Sequence, residues 1–383
     1  MRVVVALGGN ALTAADGQAA PADQIAAVAR AAERVADTVA AGHQVVVTHG
    51  NGPQVGNLLV KNELAAAVVP PVPLDWCGAQ TQATIGFILL NALEHELARK
   101  GMDRRAAALV TRTRVDRDDP GFTNPTKPIG RYLPAEEAAV MIGHGQHWQD
   151  RGPRGWRRLV ASPEPREVLD ATAITTLLAA GFVVVANGGG GIPVVRDPDG
   201  TLRGVEAVID KDLGAALLAR TIRAGLLVIA SDVPAAMVGF GTPQARELGP
   251  VTTTELRGYA AEGHFASGSM GPKVEAACRF VEDGGGRSVI TSLDLIFTGV
   301  IGTSGTIVTP GRRTGGPTAG SPTNDAPTGT APTSDARTSD APTGTAPTSD
   351  DGTRGEVDPQ WPSPWTFARS RSSTSWMPPA WPS

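Results

Sequence analysis

The sequence predicts an α/β protein built on a largely parallel sheet, and three observations carry that prediction. Near-continuous apolar, β-branched runs recur at 2–7, 43–48, 106–111, 182–186, 226–231, 288–291 and 306–308, the pattern of strands covered on both faces. Alanine-rich segments of helical periodicity fill the intervals at 22–41, 77–99, 171–180, 212–220 and 274–282. Glycine-rich loops follow the first, second and fourth strands: Gly8-Gly9-Asn10, His49-Gly50-Asn51-Gly52, and Asn187 with glycines 188–191. An α/β sheet places its ligands outside the carboxyl ends of its strands, so these loops mark the expected site.

Two segments break the rhythm. Residues 116–165 are rich in turn sequences (Asp-Asp-Pro-Gly, Asn-Pro-Thr-Lys-Pro, Gly-Pro-Arg-Gly, Ser-Pro-Glu-Pro) and hold one helical stretch, at 134–142. They are expected to form a small inserted lid within a catalytic domain spanning 1–310. From 311 to 383 the composition turns to Thr, Pro, Ala, Gly, Ser and Asp, and the sequence at 325–335 recurs unchanged at 340–350. Such a tract buries too little apolar surface to offset its chain entropy, so a disordered tail is expected. Trp361, Trp365, Trp376 and Trp381 stand there among prolines, as docking anchors or as part of a poorly constrained extension.

Composition narrows the function. With 383 residues, 41% hydrophobic, 19% charged and a net charge of -4, the chain is globular and offers no basic patch for nucleic acid. No run is long enough to span a membrane, and residues 1–7 are too brief for a signal-peptide core. Cys77 and Cys278 lie in apolar helical patterns without metal-ligand spacing, which fits a reducing cytoplasm. Among the 34 basic residues only five are lysines, and Lys127, Lys211 and Lys273 sit in loops rich in Gly, Pro or Asp. A compact ammonium suits a crowded anion site better than the wide arginine fork; the plain alternative is chance retention at the surface.

Neither a G-x-x-x-x-G-K-[ST] loop nor a dinucleotide G-x-G-x-x-G is present, so phosphates would have to be held by loop lysines and glycine backbones. That equipment suffices for phosphoryl transfer, which asks a protein mainly to align reactants and neutralise developing charge. No Ser-His-Asp, Cys-His or metal-ligand constellation supports another chemistry, and His49 reads as a structural hydrogen-bonding residue.

Seven ordered motifs resemble carbamate kinase across 1–309: Ala6-Leu-Gly-Gly-Asn-Ala, His49-Gly-Asn-Gly-Pro-Gln, Asn124-Pro-Thr-Lys-Pro-Ile-Gly, Gly155-Trp-Arg-Arg, Gly188-Gly-Gly-Gly-Ile-Pro, Gly204-Val-Glu-Ala-Val-Ile-Asp-Lys-Asp, and the run from Gly263 through Ser-Met-Gly-Pro-Lys273. The resemblance implies the amino acid kinase fold, a three-layer α/β/α sandwich with a central mostly parallel sheet. It implies reversible transfer between ATP and carbamate, giving ADP and carbamoyl phosphate, with ATP formation as the direction used. It also implies Mg²⁺ carried by the nucleotide, no separate metal site, and a homodimer. Other kinases of the superfamily carry a lysine where this chain has Ala6, and Lys127 from the lid is its expected substitute. Lys211 and Lys273 would stabilise the phosphoryl and bridging oxygens, and Asp212 would orient both. Gly8, Gly9, Asn10, Gly50 and Asn51 would hold carbamate and the moving phosphoryl group, while Asp210, Asp232, Met270 and Gly271 would face the nucleotide. Two alternatives stay open: a relative acting on another small carboxylate or a nucleoside monophosphate, and a non-catalytic nucleotide-binding sensor.

Overall fold

The computed structural model describes residues 1–9, 20–266 and 268–311; Asn10 and the expectations for the tail, its repeat and its four tryptophans lie outside the described residues. The first half runs β1 (Arg2–Leu7), α1 (Pro21–Ala40), β2 (Gln44–His49), α2 (Gly52–Ala65), α3 (Leu74–Arg99), β3 (Ala106–Ala108), β4 (Arg112–Arg114), α4 (Pro120–Thr123), β5 (Lys127–Leu133), α5 (Ala135–Gly143), β6 (His147–Asp150), β7 (Trp156–Val160), β8 (Glu167–Val168). It continues with α6 (Ala171–Ala179), β9 (Val183–Val185), β10 (Ile192–Arg196), β11 (Leu202–Gly204), α7 (Lys211–Thr221), β12 (Leu226–Ser231), β13 (Met237–Val238), β14 (Arg246–Glu247), β15 (Val251–Thr252), α8 (Thr253–Ala261), α9 (Met270–Glu282), β16 (Arg287–Ser292), α10 (Ile296–Ile301) and β17 (Thr306–Thr309).

Eight strands form the central sheet in the order β15-β17-β16-β12-β1-β2-β9-β3. β1 lies in the middle, parallel to both neighbours, with Val5 opposite Val228 and Val47. Because side chains alternate along a strand, Val4 and Ala6 face one helical layer while Val3, Val5 and Leu7 face the other. The first layer is α6 to α9, supplying Ile174, Leu218, Leu256 and Phe280. The second is α1, α3 and α10, supplying Val35, Leu89, Leu93 and Ile296. Burial on both faces is why the strand sequences are continuously apolar, and each buried Val or Leu contributes roughly 1.5 to 3 kcal/mol. The three-layer expectation holds, with one local departure: β17 runs antiparallel to β16.

Residues 112–114 belong to a second sheet, ordered β11-β10-β4-β8, so the strand expected at 106–111 stops at Ala108. The segment between β4 and β8 leaves and returns through a paired neck, Thr113 opposite Val168 and Arg114 opposite Glu167. Buried Asp119 ties the two crossings together, accepting the N–H of Gly121 at 2.7 Å and of Glu164 at 3.0 Å. Beyond the neck the sequence reading saw a single helix among turns. The structure holds α5 and also a three-stranded antiparallel sheet, β5-β7-β6, over a small core of Leu133, Ala138 and Trp148.

Candidate active site

The carboxyl ends of β1, β2 and β12 open into a cleft of about 230 Å³. Three helix N-termini, those of α2, α7 and α9, border it through Gly52, Lys211 and Pro272. Each brings unsatisfied N–H groups and the positive end of a helix dipole, an environment suited to an anion.

Three of the five lysines converge here. Lys127 enters from the first residue of β5, Lys211 from the first residue of α7, and Lys273 from the first turn of α9. The other two lie elsewhere: Lys61 is exposed on α2, and Lys100 pairs with Asp37 at 2.5 Å. Asp212, buried at 3% exposure, holds two of the cleft lysines, one oxygen on Lys211 and the other 3.1 Å from Lys273 Nζ. Burial lowers the Lys211 ammonium below its ordinary range, Asp212 opposes that, and the neighbouring charge of Lys273 adds to it.

Asp210 joins two elements. One oxygen caps α7, accepting the N–H of Asp212 at 2.9 Å and of Leu213 at 3.3 Å; the other accepts Lys127 Nζ at 2.8 Å. Burial pushes this carboxyl up, but the Lys127 charge and hydrogen bond, with Lys211 behind them, outweigh it and hold Asp210 at about 2. Asp232 reaches the cleft from the end of β12, accepting a hydrogen bond from Ser231 Oγ at 2.9 Å.

The glycines divide into two kinds. Gly8 and Gly50 line the cleft, yet their own N–H groups are committed to the sheet, bonding Ala230 O at 2.8 Å and Leu7 O at 2.9 Å. Gly50 is required sterically: a Cβ there would lie 2.6 Å from Gly9 N. Gly9, Asn51 and Gly52 keep N–H groups without a backbone acceptor among the described residues. The side chain of Asn51 is turned away to Thr81 Oγ1 at 2.9 Å, so its contribution to the cleft is its backbone. Glycines 188–191, read from the sequence as another phosphate loop, mostly pack. A Cβ at Gly188 would meet His49 Nε2 at 2.3 Å, and one at Gly191 would meet Thr113 Oγ1 at 2.0 Å; of the four only Gly189 reaches the cleft.

Met270 packs partly against the core, and Gly271 N–H is bonded to Ala266 O at 2.9 Å. Gly271 does line a second, wider cleft of about 1120 Å³ that shares Lys127, Asp210 and Pro272 with the first. His49 is buried with Nδ1 3.0 Å from Gly50 O; burial is the main cause that lowers its pKa to about 4, helped by the Lys211 charge and opposed by that hydrogen bond. It is neutral near pH 7 and structural. Sequence reading missed Gly52, whose N–H stands at the start of α2, because His-Gly-Asn-Gly-Pro reads as loop.

The family model described as "Amino acid kinase family" matches residues 1–292. A carbamate kinase of Thermococcus kodakarensis is 46% identical over 313 residues, covering 80% of this chain and 98% of that protein. The chain belongs to the amino acid kinase family, on its carbamate kinase branch. Within the family, a carbamate kinase of Trichomonas vaginalis is 41% identical, with 81% of this chain and all of that one covered. The family fold is also seen in the carbamate kinase of Giardia lamblia bound to AMP-PNP, 38% identical with a TM-score of 0.77, covering 81% of this chain and 98% of that one.

Proposed function

We propose that this protein is a carbamate kinase, transferring a phosphoryl group reversibly between ATP and carbamate to give ADP and carbamoyl phosphate. The observation that carries the proposal is the convergence of Lys127, Lys211 and Lys273, from three separated segments, on one cleft of about 230 Å³. That volume suits a small acceptor beside the moving phosphoryl group. The relatives named above are carbamate kinases, and one of them was solved with an ATP analogue.

In the forward direction a carbamate oxygen attacks the γ-phosphorus, and the bond to the β,γ-bridging oxygen breaks with ADP as leaving group. The acceptor is already an anion, so no side chain has to remove a proton, and neutral His49 is not called on. Charge develops on the equatorial and bridging oxygens, where fixed donors in a water-poor site act most strongly. Lys211 and Lys273, oriented by Asp212, neutralise those oxygens, while the N–H groups of Gly9, Asn51 and Gly52, which have no backbone acceptor among the described residues, hold the carbamate end. Lys127 arrives with the antiparallel subdomain, which acts as the lid. Gly271 in the adjoining wider cleft, Met270 at the start of α9 and Asp232 in the smaller cleft border the nucleotide.

Mg²⁺ supplies charge neutralisation when bound with the nucleotide. Asp210 and Asp212 are committed to ammonium groups, so the ion would be held chiefly by phosphate oxygens and water, and Asp232, the cleft carboxylate free of a lysine among the described residues, would be the protein group to approach it. We further assign a homodimer, for which α3 offers an exposed apolar face discussed below.

Purified protein mixed with ADP, Mg²⁺ and carbamoyl phosphate is expected to form ATP. N-acetylglutamate, aspartate and UMP are expected to remain unphosphorylated when ATP is supplied. Phosphorylation of one of those acceptors, with no ATP formed from carbamoyl phosphate, would reassign the enzyme within the family.

A further inference from the structure

We propose that Asp210 is the positioning residue of the lid lysine, a carboxylate that holds Lys127 over the start of α7 and thereby sets where the lid closes. The inference rests on the reading of Lys127 as the lid's contribution to phosphoryl transfer. The two acids of Asp210-Lys211-Asp212 divide the lysines between them. Asp212 has one oxygen on Lys211 and the other on Lys273. Asp210 is the ion-pair partner of Lys127 among the described residues, at 2.8 Å and across 83 positions of sequence.

The geometry makes Asp210 a rigid anchor. Its Oδ1 is locked by two N–H groups of the first turn of α7, so Oδ2 points in one direction, and Lys127 Nζ lies on it. Lys127 itself stands between Thr126 and Pro128 on a strand that rests on α2, where Gly130 passes so close to Gly56 that a Cβ on Gly56 would lie 3.3 Å from Gly130 N. Backbone at one end and carboxylate at the other therefore fix the ammonium beside Lys211. Its side chain stays 33% exposed, against 14% and 12% for Lys211 and Lys273, so without the carboxylate it has open solvent to move into. A charge that is 1 Å out of place can cost on the order of 10²-fold in rate without changing how tightly the nucleotide binds.

The rival explanation is that Asp210 only caps α7. Asparagine caps a helix as well as aspartate does but carries no charge, so Asp210→Asn keeps the cap and removes the anchor. The test is a double-mutant cycle on the full chain, with kcat, ADP dissociation constant and melting temperature measured for wild type, Lys127→Ala, Asp210→Asn and the double variant. Asp210→Ser, also a good cap, stands in should the asparagine variant melt early. The expected result is a fall in kcat of about 10- to 100-fold for Asp210→Asn with ADP affinity nearly unchanged, and a double variant no slower than Lys127→Ala alone. Losses that multiply, or normal turnover in the Asp210 variant while Lys127→Ala is slow, would overturn the anchor and leave the lid lysine standing. Normal turnover in Lys127→Ala would overturn the lid-lysine reading, and the anchor with it.

Discussion

At the scale of single residues, the cleft illustrates how the same side chain type serves chemistry or support according to what surrounds it. His49 stands at a strand end beside two glycine loops, yet it is sealed in, with Gly188 against its ring and its pKa brought down to about 4. In the unfolded chain the same imidazole titrates near 6.5 and takes up a proton that the folded state refuses. The stabilising contribution is therefore complete above pH 6.5 and is lost as pH falls toward 4, by about 3 kcal/mol in all. Denaturant unfolding at pH 7.5, 5.5 and 4.5 is expected to show this loss in wild type and to show a flatter profile in His49→Gln. Equal slopes in the two proteins would assign the acid sensitivity elsewhere. The lysines show the other side of the principle. Their rarity singled out Lys127, Lys211 and Lys273; Lys211 meets its sequence neighbour Asp212, but the contacts of Lys273 with Asp212 and of Lys127 with Asp210 span 61 and 83 positions.

At the scale of elements, glycine and proline were the least legible residues, because both look like turn signals wherever they occur. Gly271-Pro272 delayed the expected start of the last long helix to 274, whereas α9 begins at Met270, with the proline in its first turn where no N–H is missed. Gly52-Pro53 hid α2 in the same way. The strands within 116–165 were not legible because they are only four to seven residues long, mostly polar, and set between prolines and glycines. At the cleft, close backbone approach is what demands glycine at position 50. Gly50→Ala brings a Cβ within 2.6 Å of Gly9 N and 2.8 Å of its Cα, both backbone atoms, so the first strand-end loop has to move. We expect on the order of 10²-fold loss of kcat from that displacement. Gly78→Ala, in α3 with no atom within 4 Å of its added Cβ, is the control expected to behave as wild type. Comparable rates in the two variants would remove the steric argument.

At the scale of the whole molecule, α3 is the helix whose outer face asks for a partner. Trp76 and Phe87 are 60% and 63% exposed, with Gln80 and Ala83 exposed between them at helical spacing. The helix packs beside edge strand β3, Gly86 close against Ala108, and Val110 just beyond that strand is exposed as well. Large aromatics on a continuous face mark a protein interface, and a self-complementary face gives a two-fold dimer. Light scattering is therefore expected to give a dimer mass for the wild type and a monomer mass for Trp76→Glu/Phe87→Glu. A dimer that survives the double charge would place the interface on another surface.

The sequence by itself determined the α/β class and the carbamate kinase resemblance, and it singled out the strand ends and the three lysines that meet in one cleft. These follow from local properties: doubly buried strands have to be apolar throughout, strand-end glycines have to be small, and a phosphoryl-transfer site needs compact positive charge. The pairing of Asp212 with Lys211 and Lys273 was already implied by the resemblance; the tertiary structure alone decided that Asp210 serves Lys127. It also decided that Gly188, Gly190 and Gly191 are packed against His49, Ile209 and Thr113, and that Gly9, Asn51 and Gly52 at the cleft keep N–H groups without a backbone acceptor among the described residues. Such assignments depend on which groups meet after the sheet has closed, and hydrogen-bond donors are either consumed or spared by neighbours that lie far away along the chain.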